Sequence, residues 1–431
     1  MDNTISEVLS FVEENDVKFI RLTFCDLFGV PKNVSIMPGE LERAFTEGIS
    51  FEQSAVEGFQ NAPSTLYLKP DAGTVSALPW RPSAGRVIRF FCDIVTSDGT
   101  PYEGCARSIL KRAVAHAARH GLSCQVGTEC EFYLFKTDEF GEPTLTPHDH
   151  AGYADIAPLD RGENVRREIC LTLEEMGFNP ETSHHEAGPG QNEIDFRFSD
   201  ALSAADNLLA FRAAVKAIAA KHGLYASFLP KPFPDRSGSG MHVNFSLVRD
   251  GKNIIHAADG LHDPMSEQFV EGVLRHAPEM AAFLNPLPNS YRRLGQFEAP
   301  RGIGWAKNGA GPHIIHVPPA LGEQARIELR SPDPCCNPYL AFALLLEAGL
   351  SGLEGGYPLR AQAGTGMAPG EELLPEDLSA ALTAAGNSPL IARVFPESLR
   401  ETYFTRKRQE AEAYIAGDAA AYDFAHYFPY Y

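Results

Sequence analysis

The stretch EAGPGQNEIDFRF, Glu186–Phe198, sets two glutamates, Glu186 and Glu193, on either side of a Gly-Pro-Gly loop. Beyond the loop the chain alternates, with Glu193, Asp195 and Arg197 on one side and Ile194, Phe196 and Phe198 on the other. A period of two belongs to a strand with one polar and one apolar face. Three more segments read the same way. VGTECEFYLF (126–135) places Glu129 and Glu131 on one face, GMHVNFSL (240–247) places His242, Asn244 and Ser246, and ARIELRSPD (325–333) places Arg326, Glu328 and Arg330.

A strand with one polar face is ordinarily a wet outer strand. These four carry few of the lysines and threonines of such a face; they carry glutamates, an imidazole and arginines. If the four share a sheet, their polar faces line one acidic cavity with arginines at the rim. Converging carboxylates repel one another unless cations neutralise them. Oxygen ligands with a single imidazole suit Mg²⁺ or Mn²⁺. Cations beside arginines suit phosphoryl transfer. The pattern alone therefore points to a metal- and ATP-dependent transferase or ligase.

The rest of the chain sets bounds on this reading. Its 431 residues favour two domains. The formal net charge of −19 argues against nucleic acid and anionic membranes as partners. The first residues have no apolar core of a signal peptide. The most apolar run, Tyr339–Leu353, is too short to span a bilayer and contains Glu347, so it reads as a buried helix. Eight cysteines without a CxxC or framework spacing fit reduced, buried thiols and a cytoplasmic location.

Residues 1–100 carry short alternating runs and read as a small β-rich domain, with Thr96–Gly104 as the junction to a second domain at 101–431. Helices are expected over CARSILKRAVAHAARHG, GENVRREICLTLEEMG, DALSAADNLLAFRAAVKAIAAKHG and NPYLAFALLLEAGLSGLEGG, each stopped by glycine. Asp200 and Asn337 serve as N-caps of the last two. Residues 356–375, rich in Gly, Pro and Ala, read as a surface excursion.

Five ordered motifs, GTECEF, HHEAGPGQNEIDF, GSGMHVNFSL, NSYRRL…FEAP and RIELRSPDPCCNPYLAFA, together with GISFEQSAVEGF…TLYLKPD, closely resemble glutamine synthetases of the bacterial and archaeal type I class. The resemblance runs from about residue 20 to 350. It implies an α+β fold: a small N-terminal β-grasp domain, then a catalytic domain whose open antiparallel sheet forms a barrel holding two or three Mg²⁺ or Mn²⁺ ions. It also implies ATP-dependent ligation of ammonia to the γ-carboxylate of glutamate through a γ-glutamyl phosphate. By the motif match, Glu131, Glu186 and Glu193 would hold one metal, and Glu129, His242 and Glu328 the metal bridging the ATP phosphates. Arg293 would bind the substrate α-carboxylate, with Gly238 beside it. Arg326 and Arg330 would face the phosphates, and Asn244 and Ser246 the nucleotide. Glu298 would be the flap glutamate that closes the site and receives a proton from ammonium. Homo-oligomeric six-membered rings, stacked into a dodecamer, would share each site between neighbours.

Two departures stand out. The family's N-terminal aspartate, which reaches the neighbouring subunit's ammonium site, is here Glu52, in FEQSA. The family's two arginines in the NRS…IRIP segment are missing, since KNGAGPHIIHVP (307–318) offers only Lys307, His313 and His316. An arginine on the transferred phosphoryl group is worth on the order of 10³–10⁵ in rate. Three readings are therefore carried forward: glutamine synthetase, a γ-glutamyl ligase for an organic amine, and a non-catalytic regulatory member of the family.

Overall fold

The computed structural model describes residues 4–62, 64–81, 85–255, 263–296, 299–307, 311–367 and 369–431. In the N-terminal unit, strand Val17–Cys25 pairs antiparallel with Pro31–Ile36 and parallel with Arg86–Thr96, which in turn pairs antiparallel with Leu66–Pro70. The inward positions Ile20, Leu22, Leu66, Leu68, Ile88 and Phe90 are inaccessible to solvent. Helix Ile5–Glu14 closes one side, started by a reciprocal capping box between Thr4 and Glu7.

The larger unit is built on a second sheet. Its path runs 302–307, 313–317, 327–329, 241–249, 123–137, 191–196, 180–185. The four strands singled out by their polar faces are therefore consecutive neighbours. Along this path the pairing is antiparallel except at one edge, where Gly302–Lys307 runs parallel to His313–Val317. The apolar faces lie against helix Ala201–Lys221, where the Phe211 ring meets Phe132 and Phe196 edge-on, centroids 6.1 and 4.8 Å away. Burying that face fixes strand register, because a one-residue slip would send every glutamate into the core.

The expected helices form at Ala106–Arg119, Glu163–Glu175, Ala201–Lys221 and Pro338–Gly355. Asp200 accepts from the Leu202 and Ser203 amides, and Asn337 from that of Tyr339. Arg107, almost wholly buried, ties the two units together. Its guanidinium reaches Asp206 at 2.9 Å in its own unit, and Asp71 at 2.8 Å and Asp93 at 2.7 Å across the boundary. Seven of the eight cysteines are buried and all are free. Among the described residues no helix is long and apolar enough to cross a membrane.

The glycine-rich excursion is tied down more firmly than its composition suggests. Arg360 forks onto Glu271, its carbonyl accepts from the Trp305 indole, and the Ala363 amide donates to the Trp305 carbonyl. Charge pairing with Glu271 on helix Pro264–Leu284 is a long-range contact that local composition does not reveal. The chain's last residues also pack inward: the Phe428 ring lies against Phe135 and the Tyr431 carbonyl accepts from the Phe228 amide at 2.8 Å.

Candidate active site

Register brings the first carboxylate group together. His242 stands opposite Glu129, and Asn244 opposite Glu328, on adjacent antiparallel strands. His242 Nδ1 lies 3.1 Å from Glu129 and 3.0 Å from Glu328. Arg330 Nε donates to Glu328 at 3.1 Å, the Asn244 amide donates to Glu129 at 2.8 Å, and Arg326 Nε donates to Asn244 Oδ1 at 3.1 Å. Burial pushes the His242 pKa down, but its bonds to Glu129 and Glu328 outweigh this and lift it to about 9. Burial pushes Glu328 up, yet the hydrogen bonds from His242 and His316 hold it well below the usual carboxylate range.

The second group forms one strand over, where Glu193 stands opposite Glu131. The loop of the opening stretch folds back on itself, with the Glu186 amide donating to the Gln191 carbonyl at 2.9 Å. Gly190 sits there at φ 72°, and a Cβ on it would come within 2.7 Å of the Leu134 carbonyl, so the tight return requires glycine. The result carries Glu186 back beside Glu193. Ligand atoms of His184, Glu186 and Glu193 lie within 4.8 Å of one another. Glu131 faces the same space but is held differently, its Oε2 accepting from Gln191 Nε2 at 2.8 Å and the Gly240 amide at 2.9 Å. Burial raises the pKa of both Glu131 and Glu193, and repulsion from neighbouring carboxylates adds to it.

Between the two groups opens a polar cavity lined by Glu131, Glu186, Gly238, His242, Arg293 and Arg330, among others. The Arg293 guanidinium is buried, with Nη1 donating to the Ser331 carbonyl at 3.0 Å and Nη2 to the Arg330 carbonyl at 3.3 Å. Close backbone approach shapes this wall. A Cβ on Gly240 would lie 2.5 Å from Arg293 Nη2, and one on Gly238 2.3 Å from the Pro230 carbonyl.

The donor set fits divalent cations. Glu129, His242 and Glu328 offer ligand atoms within 4.8 Å of one another, as do His184, Glu186 and Glu193. Carboxylates so close, two of them with raised pKa, call for positive charge to stay ionised together. Oxygen-rich donors with one imidazole in each group suit Mg²⁺ or Mn²⁺.

The other expected residues fall into place unevenly. Ser246 is buried four residues beyond His242 on the same strand, on the polar face. Glu52 is exposed on the N-terminal unit and accepts from the Ser54 hydroxyl and amide, apart from the residues just described. Glu298 lies outside the described residues. In the arginine-free segment, His316 Nδ1 bonds Glu328 at 2.7 Å, whereas His313 is buried against Glu371. Sequence reasoning assigned no role to His184 or Gln191, although both lie inside the quoted HHEAGPGQNEIDF motif. It also passed over buried Asp149, which accepts from the Gly190 amide at 3.0 Å and pairs with His185 at 2.9 Å, bracing the loop that carries Glu186. Asp149 lies far back in a loop, without periodicity to mark it.

Fold and site together define a two-domain enzyme class with a curled sheet around a carboxylate-lined centre whose donors fit divalent cations. The catalytic-domain family of glutamine synthetase matches residues 103–427, and the glutamine synthetase β-grasp family matches residues 16–97. The chain belongs to the glutamine synthetase family. It is 49% identical to a glutamine synthetase of Clostridium saccharobutylicum, over 81% of this chain and 80% of that one. It is 42% identical to one of Methanosarcina mazei, over 96% and 95%. Among solved structures, a GmaS/ADP complex superposes with a TM-score of 0.86 at 28% identity, covering 99% of each chain. A Plasmodium falciparum glutamine synthetase shares the fold, with a TM-score of 0.85 at 22% identity over 99% of each chain.

Proposed function

We propose that the protein is a glutamate–ammonia ligase that forms glutamine at the expense of ATP, with the division at 1–100 and 101–431 separating an N-terminal β-grasp domain from the catalytic domain. One observation carries this reading: four adjacent strands present two cation-binding groups side by side, with a buried arginine in the cavity between them. Relatives that cover nearly the whole chain bear the name glutamine synthetase. Reading the acceptor as an organic amine, or the chain as non-catalytic, has no comparable support.

The residues divide the work. Glu129, His242 and Glu328 would hold one cation, and Glu131, Glu186 and Glu193, joined by His184, would hold another. Bound there, divalent cations would supply positive charge to balance the ATP phosphates and the transferred group. Arg293 fixes the α-carboxylate of glutamate in the Gly238-lined wall, which aims the γ-carboxylate at the cation groups. A γ-carboxylate oxygen attacks the terminal phosphorus of ATP, breaking its bond to the ADP oxygen and giving γ-glutamyl phosphate. Ammonia attacks the acyl carbon, the C–O bond to phosphate breaks, and the surplus proton passes to a carboxylate, the role of Glu298 and Glu52. Arg326 and Arg330 face the phosphates, and Asn244 and Ser246 the nucleotide. In the segment without arginines, His316 anchors Glu328 and takes over part of the positioning.

Among the described residues of its own chain Glu52 bonds Ser54 and none of the residues named above, which supports a site completed by a neighbouring copy in a closed ring. A head-to-tail interface that closes repeats the same contact at every subunit. Six-membered rings, paired into a dodecamer, are the assembly this reading favours. The test is phosphate release from ATP with glutamate, screened against ammonium and a panel of organic amines in Mg²⁺ or Mn²⁺. Ammonium supports the fastest release, and methionine sulfoximine blocks it in an ATP-dependent way. Faster turnover with an amine, or insensitivity to the inhibitor, overturns the assignment.

A further inference from the structure

Away from the catalytic cavity, two histidines and a glutamate meet where two helices end. His116 and His120 lie four residues apart at the C-terminal end of helix Ala106–Arg119, so they share one face. Their rings are 5.3 Å apart. Glu354 comes from the last turn of helix Pro338–Gly355. Its Oε1 is 3.1 Å from His116 Nε2 and 3.4 Å from His120 Nε2.

We propose that His116, His120 and Glu354 form an accessory site for a transition-metal dication of the Zn²⁺ class, separate from the catalytic cations. Three observations converge. First, ligands about 2.0–2.1 Å from a tetrahedral Zn²⁺ stand roughly 3.3–3.4 Å from one another, and the two Nε2–Oε1 separations match this edge. Second, the remaining nitrogen of His116 is already engaged: Nδ1 lies 3.0 and 3.1 Å from the two oxygens of Glu347, a largely buried carboxylate. A carboxylate behind a metal-binding histidine fixes its tautomer and aims the other nitrogen outward. Third, Arg393 lies 3.9 Å from Glu354 Oε2 and 3.6 Å from Glu347 Oε2. It lies on the Glu354 oxygen turned away from the histidines and leaves Glu354 Oε1 to the imidazoles. Two carboxylates against one guanidinium leave a net negative charge for a cation to balance. His120 and Glu354 are partly exposed, which leaves room for water as a fourth ligand. The bound ion would clamp the helix that follows the domain junction to the most buried helix of the catalytic unit.

A plain ion-pair cluster of protonated histidines is the rival account, and metal titration separates the two. The intact protein, with saturating Mg²⁺ to occupy the catalytic groups, is titrated with Co²⁺, whose tetrahedral complexes absorb intensely in the visible. The wild type binds one more equivalent with tetrahedral bands than His120→Ala, while Mg²⁺-supported ligase activity is the same in both. Glu347→Gln keeps the site but weakens it by about 10–100-fold. Zn²⁺ raises the melting temperature of the wild type more than that of His120→Ala. Equal stoichiometry and spectra in wild type and His120→Ala overturn the proposal, as does a Glu347→Gln variant with unchanged affinity.

Discussion

Replacing Arg293 by alanine tests the substrate wall most sharply. The guanidinium is buried, and two of its donors already serve the Ser331 and Arg330 carbonyls. Removing one partner of a buried, hydrogen-bonded charge pair costs about 2–5 kcal/mol. At roughly 1.4 kcal/mol per decade, kcat/KM for glutamate falls about 30- to 4,000-fold. Asn244 and Arg326 do not touch Arg293, so KM for ATP changes little. Because Arg293 also steadies the backbone of Arg330, two further variants separate binding from support. Arg293→Lys keeps the charge but loses the fork, and falls between wild type and alanine. Gly240→Ala leaves the arginine in place while its new Cβ, 2.5 Å from Nη2, pushes the guanidinium aside; it raises KM for glutamate in the same direction. Steady-state kinetics with each substrate varied in turn is the assay. A folded Arg293→Ala protein with unchanged KM for glutamate, or equal losses for glutamate and ATP, refutes the reasoning.

Glu328→Ala leaves His242, His316 and Arg330 without their shared carboxylate, so Mn²⁺ binding by isothermal titration weakens at least tenfold and activity is lost. Asp149→Asn breaks a buried pair with His185 and costs about 3–5 kcal/mol of stability, read by denaturant unfolding. Burial opposes ionisation of Asp149, but the hydrogen bond from His185 holds its pKa below the usual range; its contribution is present above about pH 4 and lost as pH falls through the folded value. His185 is shifted upward, with burial opposed by its bond to Asp149, so its share is present below about pH 6.5 and fades as pH rises through the folded value. The cost of the substitution is therefore largest between about pH 4 and 6.5. Subunits carrying Glu52→Ala and Glu131→Ala, each inactive alone, partly restore activity when dissociated and reassembled together. Verified mixed assemblies that stay inactive exclude a shared site.

Much of the site was legible because strand alternation is a strict rule. Glu129 and Glu131 had to share a face, and so did His242 and Asn244. Alternation alone says nothing about which strands are neighbours; the Glu193–Glu131 and His242–Glu129 pairings are facts of topology. The motifs supplied roles, yet His184 went unassigned because it precedes the loop, on a strand whose other side chains are mostly exposed. Asp149 and Arg107 act across long stretches of sequence, and no local pattern announces a partner a hundred residues away. The helices were readable from their caps and glycine stops, whereas the anchoring of residues 356–375 by Arg360 and Glu271 was invisible to composition.

The central claim is that a glutamate γ-carboxylate oxygen leaves with the phosphate. Glutamate labelled with ¹⁸O in the γ-carboxylate, incubated with ATP, ammonium and Mg²⁺, provides the direct measurement by mass spectrometry of the products. The account predicts one labelled oxygen in the released phosphate for each glutamine formed. Unlabelled phosphate, or phosphate released without glutamine, contradicts it.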